Sequence, residues 1–141
     1  YNFDKQNQTV RRALPTFLFH TGQYDRAIAL TEEMAASDRG RQFVWSSLLA
    51  TLYSRTGDPV KAGEHLQKLE ELSKTNSKAH YSLAINYAEL GRVDDAFAAL
   101  EKCYELREER LVWINVDPRL SSIRDDARFR QLIEKMQFAS S

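Results

Sequence analysis

The chain has 141 residues, of which 43% are hydrophobic and 28% are charged, and it contains only five glycines and three prolines. This composition excludes a disordered chain and predicts one helical domain with a continuous core. Twenty basic residues balance twenty acidic ones, so the net charge gives no reason to expect general attraction to nucleic acid or to anionic lipid.

The predicted helices follow a repeat of 34 to 35 residues, marked by Gly22, Gly57 and Gly91. An alanine follows each glycine after five residues, and a large apolar residue precedes each glycine by four. Apolar side chains at steps of three and four residues predict a helix on each side of every glycine. The predicted helices cover residues 11–20, 24–36, 42–55, 59–73, 77–89, 93–109 and 126–137.

Each repeat is interpreted as a helix–turn–helix unit. The glycine ends the first helix, because a residue without Cβ adopts the left-handed conformation at the least cost. Asp58 and Pro59 suit the N-cap and the first position of the helix that follows. The repeated alanines, Ala27, Ala62 and Ala96, are expected where two helices cross closely. A single pair leaves an apolar face uncovered, so neighbouring pairs are expected to stack.

This pattern resembles the tetratricopeptide repeat family. The residues that carry the resemblance are Ala50, Ala84, Tyr53, Tyr87, Gly57, Gly91, Ala62 and Ala96. The resemblance implies an all-α, right-handed superhelix of three helix pairs closed by a C-terminal capping helix. The implied repeats cover about 8–41, 42–76 and 77–110 of a single domain that spans residues 1–141.

The first repeat departs from the family pattern at Pro15 and Thr31. Proline inside a helix removes a hydrogen bond, so the first helix is predicted to begin near Arg11 or Arg12, or to kink at Pro15. Gly63 also lies inside a predicted helix, at a cost of ~1 kcal/mol relative to alanine. We interpret Gly63 as a residue at which two helices approach closely.

The resemblance implies that the first helix of each pair lines a concave groove. The predicted partner-binding residues are Arg12, Thr16, Phe19, Ser47, Thr51, Arg55, Lys78, Tyr81, Ile85 and Glu89. Their aromatic, hydroxyl and charged side chains suit a peptide groove, and Phe19, Tyr81 and Ile85 are expected to form an exposed apolar cluster. Alternatively, these three residues line a pocket for a small ligand that controls an attached output domain. Ser47 and Thr51 replace the basic residue and asparagine that the family uses to clamp a chaperone tail, so that activity is not expected.

No pattern in the sequence predicts catalysis, a cofactor or a metal site. His20, His65 and His80 lack metal-ligand spacing. Cys103 occupies a core position and is predicted to be a buried, unreactive thiol. Adjacent carboxylates recur along the second helices and are interpreted as solvated surface. These pairs are Glu32 and Glu33, Glu70 and Glu71, Asp94 and Asp95, and Glu108 and Glu109.

The segment after the third repeat is predicted to cap the stack over residues 111–137. Asp117 and Pro118 mark a turn, and Asp126 suits the N-cap of the last helix. Trp113 and Phe129 are predicted to be packing anchors. The predicted apolar stripe consists of Leu120, Ile123, Phe129, Leu132, Ile133 and Met136. Arginines alternate with aspartates in this segment, which favours local ion pairs over a nucleic-acid patch.

The same segment resembles a tail that follows tetratricopeptide repeats in many bacterial signalling proteins. The matching residues are Trp113, Val116, Asp117, Pro118, Arg119, Leu120, Arg124, Asp126, Arg128, Phe129, Leu132 and Met136. The resemblance implies a parent protein with a winged-helix DNA-binding, adenylate-cyclase or protein-kinase domain.

We therefore predict a non-enzymatic protein-interaction module of a larger bacterial regulator. Its predicted partner is a protein or peptide, a homo-oligomer is possible, and no direct contact with nucleic acid is expected. The sequence lacks an initiator methionine and is expected to be a piece of a longer protein. Because no apolar run approaches the ~20 residues of a membrane span, we predict a cytoplasmic location, or a periplasmic one if the parent is membrane-anchored.

Overall fold

The computed structural model describes the backbone of residues 2–140 and the side chains of residues 7–138, and within that range the chain is helical without a strand. The all-α prediction is confirmed. The α-helices are α1 (Asn2–His20), α2 (Tyr24–Ser37), α3 (Gln42–Arg55), α4 (Pro59–Ser73), α5 (Ala79–Glu89), α6 (Val93–Glu105) and α7 (Ala127–Ser140). Short 3₁₀ helices cover Arg39–Arg41, Glu109–Trp113 and Pro118–Ile123. The chain forms two compact units, residues 1–68 and 69–141.

In the first unit, α2 packs between α1 and α3. Leu18 of α1, Ala27 of α2 and Leu52 of α3 share one buried cluster. A second cluster joins Leu49 and Tyr53 to the first turns of α4. The alanine predicted at the helix crossing is fully buried, as a close approach of two helices requires.

The first helix is longer than predicted. It begins at Asn2 and passes through Pro15, so the predicted start near Arg11 or Arg12 is wrong, whereas the alternative, a kink at Pro15, stays a prediction. Proline removes one backbone hydrogen bond but leaves the rest of the ladder intact. Pro15 is also buried, so its ring adds apolar surface to the packing of α1.

The predicted glycine turns are confirmed, with φ values of 77° at Gly22, 83° at Gly57 and 76° at Gly91. Each turn has the same pair of hydrogen bonds, and at the second turn the Asp58 amide donates to the Tyr53 carbonyl at 2.8 Å. This is the Schellman arrangement, which satisfies the last carbonyls of a helix.

A fourth turn of the same kind ends α6, although no glycine is present. Arg107 has φ 55°, and the Glu108 amide donates to the Cys103 carbonyl at 2.9 Å. The helix therefore ends at Glu105, four residues before the predicted end at residue 109. The sequence rule for helix ends missed this turn because it relies on glycine or asparagine at the left-handed position.

In the second unit, α5 packs against α6, and the C-terminal segment returns to both. The 3₁₀ helix Pro118–Ile123 contacts α5, and α7 contacts α6. The predicted apolar stripe is fully buried at four positions and half-buried at two. The buried ones are Leu120, Ile123, Phe129 and Leu132. Asp126 accepts a hydrogen bond from the Arg128 amide at 2.9 Å, as an N-cap does.

Gly63 is not at a close helix contact, so that interpretation is wrong. A Cβ built on Gly63 has no heavy atom within 4 Å outside its own helix, and its φ is not positive. Gly63→Ala should therefore raise the free energy of unfolding by about 1 kcal/mol through helix propensity. Urea denaturation measures this change. Gly91→Ala is the matched control and should lower stability, because φ at Gly91 is 76°. A neutral or destabilising Gly63→Ala would contradict the expectation.

Candidate functional site

In the first unit, the predicted groove residues of α1 and α3 meet at Phe19 and Arg55. The Arg55 guanidinium carbon lies 5.0 Å from the centroid of the Phe19 ring. Tyr24 and His20 also contact this ring, with centroid distances of 5.8 and 5.2 Å. Phe19 is half-buried and Arg55 is exposed. We name these four side chains the Phe19 cluster.

The other groove residues of this unit are more enclosed than the sequence suggested. Arg12 is half-buried and donates to both carboxylate oxygens of Asp38, at 3.0 and 3.1 Å. Thr16 is exposed, Ser47 is half-buried, and Thr51 is buried. The Phe19 cluster and Thr16 are therefore the most accessible part of the predicted groove in the first unit.

In the second unit, the prediction that Tyr81 and Ile85 are exposed is wrong. Their exposed fractions are 1% and 3%. The cause is the C-terminal segment, since the 3₁₀ helix Pro118–Ile123 packs on α5. Lys78 and Glu89 lie at opposite ends of α5 and remain exposed. The Lys78 carbonyl accepts a hydrogen bond from Arg110.

Asp117 is the polar centre of the contact between α5 and the C-terminal segment. Tyr81 donates its hydroxyl hydrogen to Asp117 Oδ2 at 2.8 Å. Arg119 donates to both carboxylate oxygens, at 2.9 and 2.8 Å. Arg124 donates to the Asp117 and Ile114 carbonyls, at 2.7 and 3.0 Å. These bonds fix the turn that brings residues 118–123 onto α5.

Two pKa values reflect this arrangement. Burial raises the pKa of Tyr81, and the hydrogen bond that it donates to Asp117 raises it further. Burial opposes the charged form of Asp117, but the hydrogen bonds from Arg119 and Tyr81 outweigh it and lower the Asp117 pKa. Tyr81 therefore stays protonated and Asp117 stays ionised at neutral pH, so the contact is a charge-assisted hydrogen bond.

The predicted role of Trp113 as a packing anchor is wrong, because 60% of its surface is exposed. Its neighbour Ile114 is fully buried, and Phe129 is buried as predicted. In a 3₁₀ helix adjacent side chains point about 120° apart. Burying Ile114 therefore turns Trp113 outward.

The predicted local ion pairs with aspartates are present at Arg119 and Arg128 in the described part of the C-terminal segment. Arg119 pairs with Asp117, and Arg128 pairs with Asp126 at 3.0 Å and with Asp94 at 2.7 Å. Asp94 belongs to α6, so this pair also joins α7 to α6. A second such pair is Lys135 with Glu101, at 2.5 Å.

Two carboxylates that were interpreted as solvated surface accept hydrogen bonds from tyrosines. Tyr53 of α3 donates to Glu32 of α2 at 2.7 Å, and Tyr87 of α5 donates to Glu70 of α4 at 2.6 Å. Burial and then the bond to Glu32 raise the pKa of Tyr53 to about 12. The two glutamates occupy different positions in their repeats, since Glu32 lies ten residues after Gly22 and Glu70 lies thirteen residues after Gly57. The repeat register therefore did not reveal these bonds.

His65 stacks on the ring of Tyr53 and lies beside the same Glu32 carboxylate. Its ring is 5.6 Å from the Tyr53 ring with an interplanar angle of 8°, and its Nε2 is 3.7 Å from Glu32. Burial lowers the His65 pKa despite the nearby carboxylate. The neutral imidazole therefore acts as a packing surface for Tyr53, and this pair contributes to the contact of α2, α3 and α4.

Burial determines the protonation state of Cys103. Cys103 is fully buried, and burial raises its thiol pKa to about 12, which leaves no thiolate at neutral pH. Among the described residues, no group of three or more His, Cys, Asp or Glu side chains is placed to hold a metal ion. None of the helices described here is both long and apolar enough to cross a lipid bilayer.

A protein-family model matches the chain, and its description reads anaphase-promoting complex, cyclosome, subunit 3. The match covers residues 20–103, which is more than half of the chain and includes the turns at Gly22, Gly57 and Gly91. No curated protein and no solved structure matches the chain. The family is built from tetratricopeptide-type repeats, and such repeats are typically non-enzymatic scaffolds for protein–protein interaction. The helix pairs, their left-handed turns and this match together place the chain in the anaphase-promoting complex subunit 3 family of tetratricopeptide-type repeat proteins.

Proposed function

We propose that the chain is a non-enzymatic interaction module that binds a partner peptide or domain through the Phe19 cluster. The observation that carries the proposal is the contact of Arg55 with Phe19, at 5.0 Å from the ring centroid. Aromatic and arginine side chains contribute most to binding at many protein interfaces. Here they stand together on a surface that the chain leaves accessible.

The composition of this surface suits a peptide with an apolar anchor next to a carboxylate. An apolar side chain can pack on the accessible part of the Phe19 ring, and Arg55 supplies a guanidinium for a carboxylate. Thr16 lies one turn before Phe19 on the same helix and offers an exposed hydroxyl. Arg12, Ser47 and Thr51 are proposed to support this surface, since their side chains are half-buried or buried.

The proposal assigns a smaller role to α5. Tyr81 and Ile85 are buried, so they are not among the proposed partner-binding residues. Lys78 and Glu89 remain proposed contacts at the exposed ends of the helix. The alternative, a small-ligand pocket lined by Phe19, Tyr81 and Ile85, stays a prediction.

The experiment selects peptides from a phage-displayed random library on the immobilised chain and measures their affinities for variants. Phe19→Ala and Arg55→Ala should each weaken the selected peptides by about tenfold or more, as expected for residues that dominate an interface. Val60→Ala is the control, since Val60 is an exposed apolar residue that is not part of the Phe19 cluster. Selected peptides that bind both cluster variants with unchanged affinity would contradict the proposal.

We propose the biological setting from the sequence of the C-terminal segment. Its resemblance to tails of bacterial signalling proteins supports a role within a larger bacterial regulator in the cytoplasm. In that setting the Phe19 cluster would recruit the protein that the regulator senses or controls.

A further inference from the structure

Helix α1 carries an exposed apolar stripe that the proposed groove does not use. Val10, Leu14 and Phe17 follow one another at steps of four and three residues and therefore lie on one face of the helix. Their exposed fractions range from 38% to 67%. Phe19 follows Phe17 by two residues, which is about 200° around a helix, so the Phe19 cluster lies on the other side of α1.

The repeat itself indicates what kind of surface this stripe is. The turn glycines set an offset of 35 residues between the first and second repeats. At that offset, Val10, Leu14 and Phe17 correspond to Trp45, Leu49 and Leu52 of α3. At the further offset of 34 residues they correspond to Ala79, Leu83 and Asn86 of α5.

All six corresponding residues are buried, with at most 4% of their surface exposed. The same register position is therefore covered in both later repeats and uncovered in the first. Single exposed apolar residues are ordinary on a protein surface. Val10, Leu14 and Phe17 are different, because they lie next to one another at positions that are buried in the two later repeats. Such a patch is typical of a face on which another helix stacks.

The first unit also shows which element covers this face in the second repeat. Helix α2 packs on α3. Leu52 clusters with Ala27 of α2 and Leu18 of α1, and Leu49 clusters with Ala62 of α4 and with partly buried Ile28 and Ala35 of α2. An amphipathic helix with small and aliphatic residues on one face is therefore the natural complement of the stripe.

We propose that Val10, Leu14 and Phe17 form a docking site for an amphipathic helix of a partner polypeptide, which packs on α1 as α2 packs on α3. The partner helix presents alanine and branched or unbranched aliphatic side chains at the spacing of Ala27, Ile28 and Ala35. This is helix-in-groove recognition on a stacking face. It is a second interaction surface and does not depend on the function proposed for the Phe19 cluster.

The test uses a synthetic peptide with the α2 sequence, residues 24–37, as the probe. A staple between positions 29 and 33 stabilises it, because both positions are exposed in α2 and a short free helix is marginal in water. Titration of the isotope-labelled 141-residue chain by NMR should shift the amides around Val10, Leu14 and Phe17. The same peptide with Ile28→Glu is the control and should not bind.

Variants of the chain assign the site. Val10→Glu and Phe17→Glu should each weaken peptide binding by about tenfold or more, since each introduces a charge into an apolar contact. Val60→Glu is the matched control, because Val60 and Val10 have similar exposed fractions, 70% and 67%. It should leave affinity unchanged. These residues are exposed, so the variants should fold, and circular dichroism verifies that they do.

Any of three results with the peptide would overturn the proposal. The peptide does not bind, or it binds wild type and both stripe variants equally, or it shifts amides of α3 by displacing the native α2. Analytical sedimentation of the chain without peptide tests whether a second copy of the chain occupies the stripe instead. A wild-type dimer that Phe17→Glu dissociates would assign the stripe to a second copy of the chain and would also overturn the proposal.

Discussion

A chain that lacks residues 111–141 should lose the fold of its second unit. The deletion removes the buried side chains of Leu120, Ile123, Phe129 and Leu132. Burial of such side chains contributes roughly 1.5–3 kcal/mol each, so about 6–12 kcal/mol is lost. That is comparable to the whole stability of a typical domain, which is about 5–15 kcal/mol. Tyr81 and Ile85 would become exposed as well.

Thermal unfolding followed by circular dichroism measures this effect. The truncated chain should show a sharply lower melting temperature or lose helix signal at room temperature. A shorter deletion, of residues 138–141, is the control. It removes Phe138, which is 83% exposed, and should change stability by less than about 0.5 kcal/mol. A 111–141 deletion that melts like wild type would contradict the role of this segment as a cover for α5 and α6.

Asp117→Ala should lower the free energy of unfolding by about 2–3 kcal/mol. The substitution leaves the buried hydroxyl of Tyr81 without its acceptor and removes the side-chain bond to the Arg119 amide. Arg119 is more than half exposed and can be solvated again. The loss is therefore smaller than for breaking a fully buried ion pair.

A double-mutant cycle, with each variant unfolded in urea, isolates the free energy of the hydrogen bond between Tyr81 and Asp117. Tyr81→Phe should cost about 1 kcal/mol alone. In the Asp117→Ala background it should cost much less, because the partner of the hydroxyl is already gone. Asp125→Ala is the matched control, since Asp125 is exposed in the same segment. Additive effects of Asp117→Ala and Tyr81→Phe would show that the two side chains do not interact.

The sequence predicts best where one residue type has one structural use. Gly22, Gly57 and Gly91 were assigned to left-handed turns, and all three have positive φ. Their register also identified Ala27 and Cys103 as buried. Each of these inferences depends on local geometry or on a repeated position, and none of them requires knowledge of a distant contact.

The predictions that were wrong depend on contacts between distant parts of the chain. Tyr81 lies 36 residues before Asp117, and nothing in the helical pattern of α5 indicates that a later segment covers it. Trp113 is predicted to be a packing anchor of the capping segment, but burial of Ile114 turns it outward. Pro15 lies inside α1 and is buried, and α1 packs on α2, a contact that the sequence rule for proline does not take into account.

The arginine at the fourth turn has a consequence for local opening. A residue with a Cβ adopts the left-handed conformation at a cost of roughly 1–2 kcal/mol, which glycine does not have. The turn at Arg107 is therefore the least stable of the four equivalent helix ends, and it precedes the segment that covers α5. The Glu108 amide, which donates to the Cys103 carbonyl there, should exchange its hydrogen faster than the corresponding amides of Gln23, Asp58 and Arg92. Partial unfolding of the second unit would thus begin where α6 ends, with separation of the C-terminal segment before the helix pair itself.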